Sequence, residues 1–464
     1  LGSIDDVTDQ LRGKLGEALQ NVQKTSVPLP NVATPSLDAL KAFAVARNVA
    51  NTSQDREQAL GLYRRALQLD PQFALAYADI ARLHAALGEV AQASEAWRRA
   101  QALPQRLSPQ ERQMVELMLA SNDGPAAYFR KAEEYLALYP DDYRVISRLS
   151  ANQWHQRNDF RTAESLIRRS LKPQFERLGA AHYSLGIYLL GQEKYDAALL
   201  EFRRASETGF LGAGELHARV YDARGQHAQA DKTYAASTSG RDGWQGETAV
   251  ITWLDRGQPT RAADAAREWR QRMDADDNLA ERLRARAAVA AVAALSGQGD
   301  PGPALRDLLT LVNARESDAS AIYPPLSAEL RLFAGLLAAH RSDRAGVDEA
   351  LRRTEGSALV RDYPTLAQLR QVLLAEQERL AGQPRAALAR LRPLAQRDTA
   401  LVAVHWALLR SAQAAGDAAG AQAQMRWFAN HRGRVFAERT TSEVLCFFNA
   451  GIAARAASTA MPMK

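Results

Sequence analysis

Two pairs of adjacent carboxylates come nearest, by residue type and spacing, to acid–base chemistry: Asp141 with Asp142, and Asp276 with Asp277. Two close carboxyl groups can act as general acid and general base when their surroundings shift their pKa values apart. Both pairs, however, stand where a helical pattern begins, and a carboxylate there interacts favourably with the helix dipole. We therefore interpret both pairs as helix-start residues.

Other catalytic and metal-binding patterns are missing from the sequence. It has no phosphate loop, no Gly-x-Gly-x-x-Gly motif after a strand, no Cys-x-x-Cys and no His-Glu-x-x-His. The eight histidines do not cluster, and the single cysteine, Cys446, rules out an internal disulfide. Cys446 stands in an apolar run and is expected to be buried. The sequence thus predicts no enzyme activity, no cofactor and no metal site.

Peptide recognition is a second kind of chemistry that the residues suggest. Arg148 and Asn152 stand one helical turn apart, where an arginine can pair with a carboxylate and an asparagine with a peptide backbone. The following repeats place Ile187 and Glu215 where a further asparagine and a cation would be needed. A complete carboxylate clamp is therefore not predicted, and a solvated charged face is the alternative interpretation.

An internal repeat of about 34 residues positions these side chains, and that period marks arrays of helical hairpins. Ala59 and Ala66 follow the spacing of a tetratricopeptide (TPR) hairpin, and Ala93 and Ala100 repeat it one period later. Small residues let two antiparallel helices approach closely, while large ones fill the interface between them. The clearest copy has this pattern at Tyr183, Gly186, Tyr195, Ala198, Phe202 and Ala205.

Glycines and prolines mark the ends of the helices. Pro71, Pro104 and Pro140 follow second helices of hairpins, because proline cannot continue a helix. A glycine in the left-handed conformation can end a first helix. The expected positions are Gly88, Gly191, Gly225, Gly257, Gly382 and Gly416. Farther along, where insertions such as residues 316–327 stretch the spacing, the interface alanines are expected at Ala304, Ala345, Ala387 and Ala419.

The predicted fold is all-α, a right-handed superhelical solenoid of about ten to eleven TPR-like hairpins. Residues 1–26 are predicted to form an amphipathic helix (4–24) and a linker from an upstream domain. Residues 27–36 are a Pro-rich linker in which Ser36 caps the helix starting at Leu37. Residues 37–274 form the regular array, 275–440 a degenerate array, and 441–464 a C-terminal cap and tail.

Composition excludes some functions. The chain has 59 basic and 53 acidic residues, and its net charge of +6 is not concentrated in one tract, so nucleic-acid binding is not expected. No apolar run approaches the ~20 residues of a membrane helix, so this chain is not expected to insert into a membrane. The first residues, Leu1, Gly2 and Ser3, resemble a cloning remnant, which indicates a fragment of a longer protein.

Two stretches resemble the start of the C-terminal TPR regions of large bacterial signalling proteins, and a third, the last named here, has a general resemblance to the same proteins. They are Leu-Arg-Gly-Lys-Leu-Gly-Glu at residues 11–17, Thr-Pro-Ser-Leu-Asp-Ala-Leu-Lys-Ala at 34–42, and His-Arg-Gly-Arg-Val-Phe-Ala-Glu at 431–438. In that group a kinase, a nucleotide cyclase or a winged-helix domain precedes a TPR tail, and peptide-modification-system cyclases are the most similar. The resemblance implies a sensory or regulatory tail, on the cytoplasmic or the periplasmic side.

The residues predicted to bind a protein or peptide partner share the first-helix positions that point away from the hairpin interface. They are Asn48, Asn51, Arg82, Arg148, Asn152, Tyr183 and Arg219. Among the aromatic residues, Trp97, Trp154 and Trp269 fall at interface positions and are expected in the core. Trp253, Trp406 and Trp244 are instead the candidates for exposed side chains that anchor a partner protein. Trp244 stands in a predicted loop at 240–246. A monomer is expected; a stand-alone, oligomeric scaffold and an enzyme with an unrecognised site are the alternatives.

Overall fold

A computed structural model describes residues 33–52, 55–86, 89–172, 175, 177–210, 213–236, 242–275, 278–297, 299–314 and 324–460. The predicted helix at 4–24, most of the Pro-rich linker, Gly88 and the pair Asp276 and Asp277 lie outside these residues. The side chains of Asn51 and Trp244 also lie outside the description, although the backbone of each is helical. The described part of the chain is all-α and forms an array of TPR-like hairpins, as predicted.

The described residues divide into two compact units at Pro140 and Asp141. This division does not coincide with the predicted boundary between regular and degenerate repeats at residue 274. Unit 1, residues 33–140, consists of three hairpins. Its helices are α1 Leu37–Thr52, α2 Arg56–Leu69, α3 Ala74–Ala86, α4 Val90–Gln101, α5 Pro109–Ala120 and α6 Pro125–Leu138.

Unit 2, the described residues from 141 to 460, contains eight hairpins and three further helices. The hairpins pair α7 Tyr143–Arg157 with α8 Phe160–Arg168, α9 Leu178–Leu190 with α10 Tyr195–Glu207, α11 Ala213–Ala223 with α12 His227–Ala236, α13 Asp242–Asp255 with α14 Pro259–Met273, α15 Leu279–Ser296 with α16 Gly302–Ala314, α17 Pro324–His340 with α18 Arg344–Arg353, α20 Pro364–Leu380 with α21 Pro384–Ala395, and α22 Val402–Ala415 with α23 Ala418–Asn430. The further helices are α19 Ala358–Asp362, α24 Arg432–Ala437 and α25 Val444–Ala460.

Helix starts follow the predicted capping chemistry. The Ser36 hydroxyl accepts a hydrogen bond from the Ala39 N–H at 3.2 Å, which confirms the predicted cap of α1. Asp142 accepts hydrogen bonds from the N–H groups of Arg144 and Val145 at the start of α7. The pair at 141–142 thus contributes a helix cap, as expected for a carboxylate at that position.

The small residues of the repeat are needed where two helices approach closely. Ala59, Ala66, Ala198 and Ala205 are completely buried. A Cβ added at Gly186 would lie 2.4 Å from the Phe202 ring of the paired helix. Alanine or glycine at these positions therefore permits the packing that the larger residues complete, and this part of the prediction is confirmed.

Gly191 ends α9 for a different reason than predicted. Gly225, Gly257, Gly382 and Gly416 have positive φ angles, as expected, but Gly191 has a right-handed helical φ of −64°. A Cβ at Gly191 would lie 2.3 Å from the Phe160 ring, so close packing requires the glycine. Glu193, with φ 61°, supplies the left-handed residue of this turn.

The register predicted for the degenerate repeats is wrong at two positions. Ala345 and Ala419 are exposed. In α18 the close contact is made by Gly346, whose added Cβ would lie 2.6 Å from the Cβ of Ala338. In α23 it is Ala421 that is buried. The insertions shift the register by one or two residues, whereas Ala387 is completely buried as predicted.

The aromatic predictions are partly confirmed. Trp97, Trp154 and Trp269 are buried in the core. Trp406 is buried as well, because its ring packs 4.9 Å from that of Phe448, so its prediction as an exposed anchor is wrong. Trp244 belongs to helix α13 and not to a loop, because α13 already begins at Asp242.

We expect Gly186→Val to lower the free energy of unfolding by about 1–3 kcal/mol, because the new side chain meets the Phe202 ring. Urea unfolding followed by circular dichroism measures the change. Gly61→Ala is the matched control, since an added Cβ there has no neighbour within 4 Å. Equal stability of Gly186→Val and wild type would contradict the packing described.

Candidate binding groove

The first-helix face of unit 2 is a groove that the end of the same chain fills. We call residues 431–460, which contain α24 and α25, the C-terminal segment. Helix α24 packs against α9 and α11, and α25 packs against α13, α15, α17, α22 and α23. With the exception of α23, these are first helices of their hairpins. The segment thus occupies the surface on which the sequence predicted a partner.

The groove also closes on itself, because helix α7 contacts α20. The Thr365 hydroxyl donates a hydrogen bond to the His155 carbonyl at 3.4 Å. Beside it, Arg161 forms an ion pair with Asp398 at 2.9 Å. The first hairpin of unit 2 therefore meets residues more than two hundred positions later, and the C-terminal segment lies within this closed arrangement.

Polar contacts hold the beginning of the segment. The Gly433 N–H donates to the Tyr195 hydroxyl at 3.2 Å, and the Arg434 N–H donates to Glu193 Oε1 at 3.2 Å. Arg432 forms an ion pair with Asp255, which is buried. A Cβ at Gly433 would lie 2.1 Å from the backbone carbonyl oxygen of Leu190, so only glycine fits this close approach.

The middle of the segment is not helical, and side chains of the groove bind its backbone and polar groups. The Trp154 Nε1–H donates to the Ala437 carbonyl at 2.9 Å. The Glu438 carboxylate accepts hydrogen bonds from the Val402 N–H at 2.9 Å and from Asn158 Nδ2 at 3.1 Å. The hydroxyls of Thr440 and Thr441 both donate to the carboxylate of Glu329 in α17.

A buried network of charges follows at Glu443. Arg284 Nη1 lies 2.6 Å from Glu443 Oε2 and 3.5 Å from Glu247 Oε2. Arg219 Nη2 lies 3.4 Å from Glu247 Oε1, and Arg439 forms an ion pair with Glu443. Three guanidinium groups thus surround two carboxylates, so each buried charge has a neighbour of opposite sign. Among the described residues, Arg219 Nε and Nη1 and Arg284 Nε have no hydrogen-bond partner.

The environment of these two carboxyl groups separates their pKa values. Burial, together with the neighbouring Glu443, raises the pKa of Glu247 to about 8. Burial also disfavours the charged form of Glu443, but Arg439 and the other guanidinium groups outweigh it and hold its pKa below the usual range. Of the two carboxyl groups, Glu247 therefore binds a proton more readily than Glu443.

Apolar contacts hold the end of the segment. Val444, Leu445, Cys446, Phe447 and Phe448 are completely buried. The Phe447 ring lies 6.2 Å from that of Trp269. Burial raises the pKa of the Cys446 thiol to about 12, so this cysteine is a packed thiol and not a nucleophile. The expectation that Cys446 is buried is confirmed.

The predicted partner residues are divided between the two units. Asn48 and Arg82 belong to unit 1, where Asn48 is exposed and Arg82 forms an ion pair with Asp79. The other four belong to unit 2. Arg148 is exposed, Asn152 and Tyr183 are half-buried, and Arg219 is 1% exposed within the charge network. In this conformation Arg219 cannot contact a partner.

Sequence reasoning missed a polar cluster in unit 1. The buried carboxylate of Asp79 accepts a hydrogen bond from the Tyr63 hydroxyl at 3.1 Å and lies 3.6 Å from Arg47 Nε. Arg82 binds the same carboxylate, and the Arg47 guanidinium lies 5.6 Å from the centre of the Phe43 ring. The spacing of Asp79 and Arg82, three residues apart on one helix, was the available signal.

A cavity of about 260 Å³ lies beside the charge network in unit 2. Trp253 forms one wall, and the guanidinium of Arg261 lies 4.7 Å from the centre of its ring. Trp253 is half-buried, so it is less exposed than an interface anchor was expected to be. The lining residues are Glu215, Asp231, Tyr234, Thr248, Ala249, Thr252 and Trp253.

The described residues contain no group of three or more His, Cys, Asp or Glu side chains arranged to hold a metal ion. Within the same residues, no helix combines the length and the apolar character needed to cross a membrane.

No protein-family model and no curated protein sequence matches this chain. Three solved structures show similarity at low sequence identity. PilW, a widely conserved type IV pilus biogenesis factor, is 16% identical with a TM-score of 0.31, and the match covers 53% of this chain and 97% of PilW. A structure of Naa15/Naa10 bound to HypK-THB is 12% identical with a TM-score of 0.25, over 85% of this chain and 63% of that one. The TPR domain of P58(IPK) is 12% identical with a TM-score of 0.21, over 92% and 100%. With TM-scores this low, the description of the fold rests on the helices of this chain.

We expect the stability of unit 2 to depend on pH through Glu193. Burial raises the pKa of Glu193 from 4.5 to about 7, so the folded chain holds a proton that the unfolded chain loses between these values. This contribution is fully present below about pH 4.5 and is lost as the pH rises through about 7, a change of up to roughly 3 kcal/mol.

The measurement is urea unfolding of wild type and Glu193→Gln between about pH 5 and about pH 8. Glutamine keeps an oxygen for the Arg434 N–H but does not titrate. The stability of wild type relative to Glu193→Gln should therefore fall with rising pH. A constant difference across this range would show that Glu193 has an ordinary pKa in the folded chain.

Proposed function

We propose that this chain is a non-catalytic module that binds a protein or peptide, and that the partner docks on the first-helix face of unit 1. One observation supports this choice of face above the others. The C-terminal segment fills the corresponding face of unit 2, whereas long side chains of α1 and α3 in unit 1 are exposed to solvent.

The energetic cost of clearing the whole unit 2 groove is large. A partner would have to displace Val444, Leu445, Phe447, Phe448 and Ile452, all of which are buried. Burying one such side chain contributes about 1.5–3 kcal/mol, so the five together contribute roughly 10 kcal/mol, as much as the stability of a typical domain. A partner does not gain that much by replacing an occupant that already fits.

The exposed face of α1 combines apolar and basic groups. Leu37 and Val45 are 52% and 51% exposed. Between them in sequence lies Lys41, whose side chain is 67% exposed, and Asn48 follows one turn after Val45. Leu37, Lys41, Val45 and Asn48 lie on one side of the helix because residues three and four apart are neighbours there.

The cluster around Asp79 lies next to this face, and its two cations exceed its one buried carboxylate. The side chains of Arg47 and Arg82 are 47% and 40% exposed, whereas that of Asp79 is 4% exposed. The cluster therefore presents net positive charge to the solvent. An amphipathic partner segment that carries an acidic residue would complement both the apolar side chains of α1 and these guanidinium groups.

We further propose that the chain is the sensory or regulatory tail of a larger bacterial signalling protein. The resemblance of residues 11–17, 34–42 and 431–438 to such tails supports this role. A stand-alone scaffold that assembles into oligomers is the alternative, and an enzyme with an unrecognised site is the remaining one.

We expect Lys41→Glu combined with Val45→Asp to weaken partner binding at least about tenfold, because both changes place negative charge on the α1 face. Affinity capture with quantitative mass spectrometry identifies the partner, and titration of that partner measures the loss. Both residues are exposed, so the array should keep its helical circular dichroism. The matched control is Arg64→Glu, an exposed charge reversal on the second helix of the same hairpin. Equal partner affinity of the double variant and wild type would place the docking surface elsewhere.

The regulatory-tail proposal predicts the mass of the native protein. An antibody raised against this chain should detect, in cells of the source organism, a band well above the 50.9 kDa of these residues. Such a band would be due to an upstream effector domain. A band near 51 kDa would contradict the tail and favour the stand-alone scaffold.

A further inference from the structure

The C-terminal segment consists of two parts that are held by different forces. We call residues 432–441, which comprise α24 and the four residues after it, the strap. The strap has three completely or almost completely buried apolar side chains, Val435, Phe436 and Ala437. Its other contacts are polar. Helix α25, in contrast, is anchored by the apolar cluster described above, so it is held more strongly than the strap.

Side chains of the groove bind backbone groups at both ends of α24. Its backbone groups at Gly433, Arg434 and Ala437 are bound by Tyr195, Glu193 and Trp154, which belong to two stretches of unit 2, the α9–α10 turn with the start of α10, and helix α7. The first N–H groups and the last carbonyl groups of a helix have no partner within that helix, so these side chains cap α24. Side chains that bind a main chain in this way do not depend on covalent attachment of the bound segment.

The groove is also selective for the sequence of the strap. Arg432 meets the buried carboxylate of Asp255, and the Phe436 side chain is 1% exposed in the closed groove. Gly433 passes so close to the Leu190 carbonyl that no side chain fits. Arg434 lies with its guanidinium 5.1 Å from the centre of the Phe160 ring. Together these positions favour the sequence Arg-Gly-Arg, then any residue, then phenylalanine.

The polar contacts of the strap are incomplete. Among the described residues, Glu193 Oε2, Arg434 Nε and Asn158 Oδ1 are buried and have no hydrogen-bond partner. A buried polar atom without a partner is destabilising, because it has lost its hydration without replacement. Opening the strap would return these three atoms to water. Helix α25 also makes polar contacts, among them Asn449 Nδ2 with Glu438 and Arg455 with the Leu295 carbonyl, but its buried apolar side chains outnumber the three of the strap. The strap is therefore the part that can leave first.

We propose that residues 432–441 are an intramolecular ligand of the unit 2 groove and that they open as a unit while α25 stays docked. The vacated groove then binds an Arg-Gly-Arg-x-Phe segment of a partner protein. The vacated groove would present the carboxylates of Glu193, Asp255 and Glu329 and the indole of Trp154. That set fits a basic segment with an aromatic side chain. This site is separate from the α1 face of unit 1.

Hydrogen exchange of the full-length chain tests the opening. Amides of residues 432–441 should exchange at least about tenfold faster than those of α25 and α15, since local opening requires less free energy than global unfolding. Exchange of the strap at the same rate as α25 would overturn the proposal, because the strap would then open only when unit 2 unfolds.

A variant pair tests the receptor. Gly433→Ala, which collides with the Leu190 carbonyl, should speed exchange of the strap at least about tenfold and leave α25 unchanged. The variant should also bind a synthetic peptide of residues 431–441 at least about tenfold more tightly than wild type does, since its own strap no longer competes for the groove. The same peptide carrying alanine at the position of Gly433 is the matched control and should not bind.

Three results would contradict the receptor. They are faster exchange of α25 together with the strap in Gly433→Ala, equal binding of the two peptides, and no binding of either. If Gly433→Ala does not fold, the exchange rates of the wild-type strap still test its opening, and titration of wild type with the two peptides still tests the receptor. Lys41→Glu with Val45→Asp should leave peptide binding unchanged, which distinguishes this site from the one proposed on unit 1.

Discussion

A helical hairpin has two apolar sides and can bury only one of them against its own neighbour helix. In unit 2 helix α25 covers the remaining side of four hairpins at once. The completely buried Phe447 and Phe448 are the central contacts of this arrangement. The place of Glu443 in the buried charge network and the position of the strap both depend on this helix, because it continues the chain directly after them.

Covering the groove with part of the same chain requires burying polar groups, because the first helices carry charged residues on that side. Arg219, Glu247 and Arg284 would be hydrated on an open groove. Once covered, each of them needs a counter-charge, and Arg439 and Glu443 of the C-terminal segment complete the set. Buried polar atoms without a hydrogen-bond partner remain at Glu193 and Arg434 and also at Arg219 and Arg284 of the network. The same physical requirement therefore acts on the strap, which contains Arg439, and on Glu443 beyond it.

Sequence reasoning predicted the features that local spacing determines. The alanines of the repeat, the glycine at 186 and the caps at Ser36 and Asp142 follow from helix geometry and neighbouring residues, and the structure confirms them. The sequence did not predict that the C-terminal segment fills the groove, because its contacts join residues far apart in the chain. Trp154, for example, binds Ala437 across 283 positions. The period of a repeat predicts which positions face away from a hairpin, but not what lies against them. Arg219, predicted on the partner-binding face, is 1% exposed in the structure for this reason.

Two observations already in the sequence could have indicated the groove's occupant. The stretch at residues 431–438 resembles part of a TPR tail although it lacks the spacing of a repeat, and residues 444–448 are apolar without alternation. A segment that departs from the repeat and is apolar on all sides must be buried by something other than its nearest hairpin. In an array of hairpins the available surface is the first-helix face. A terminal helix of this composition is therefore better interpreted as an interior element of the array than as a cap on its last repeat.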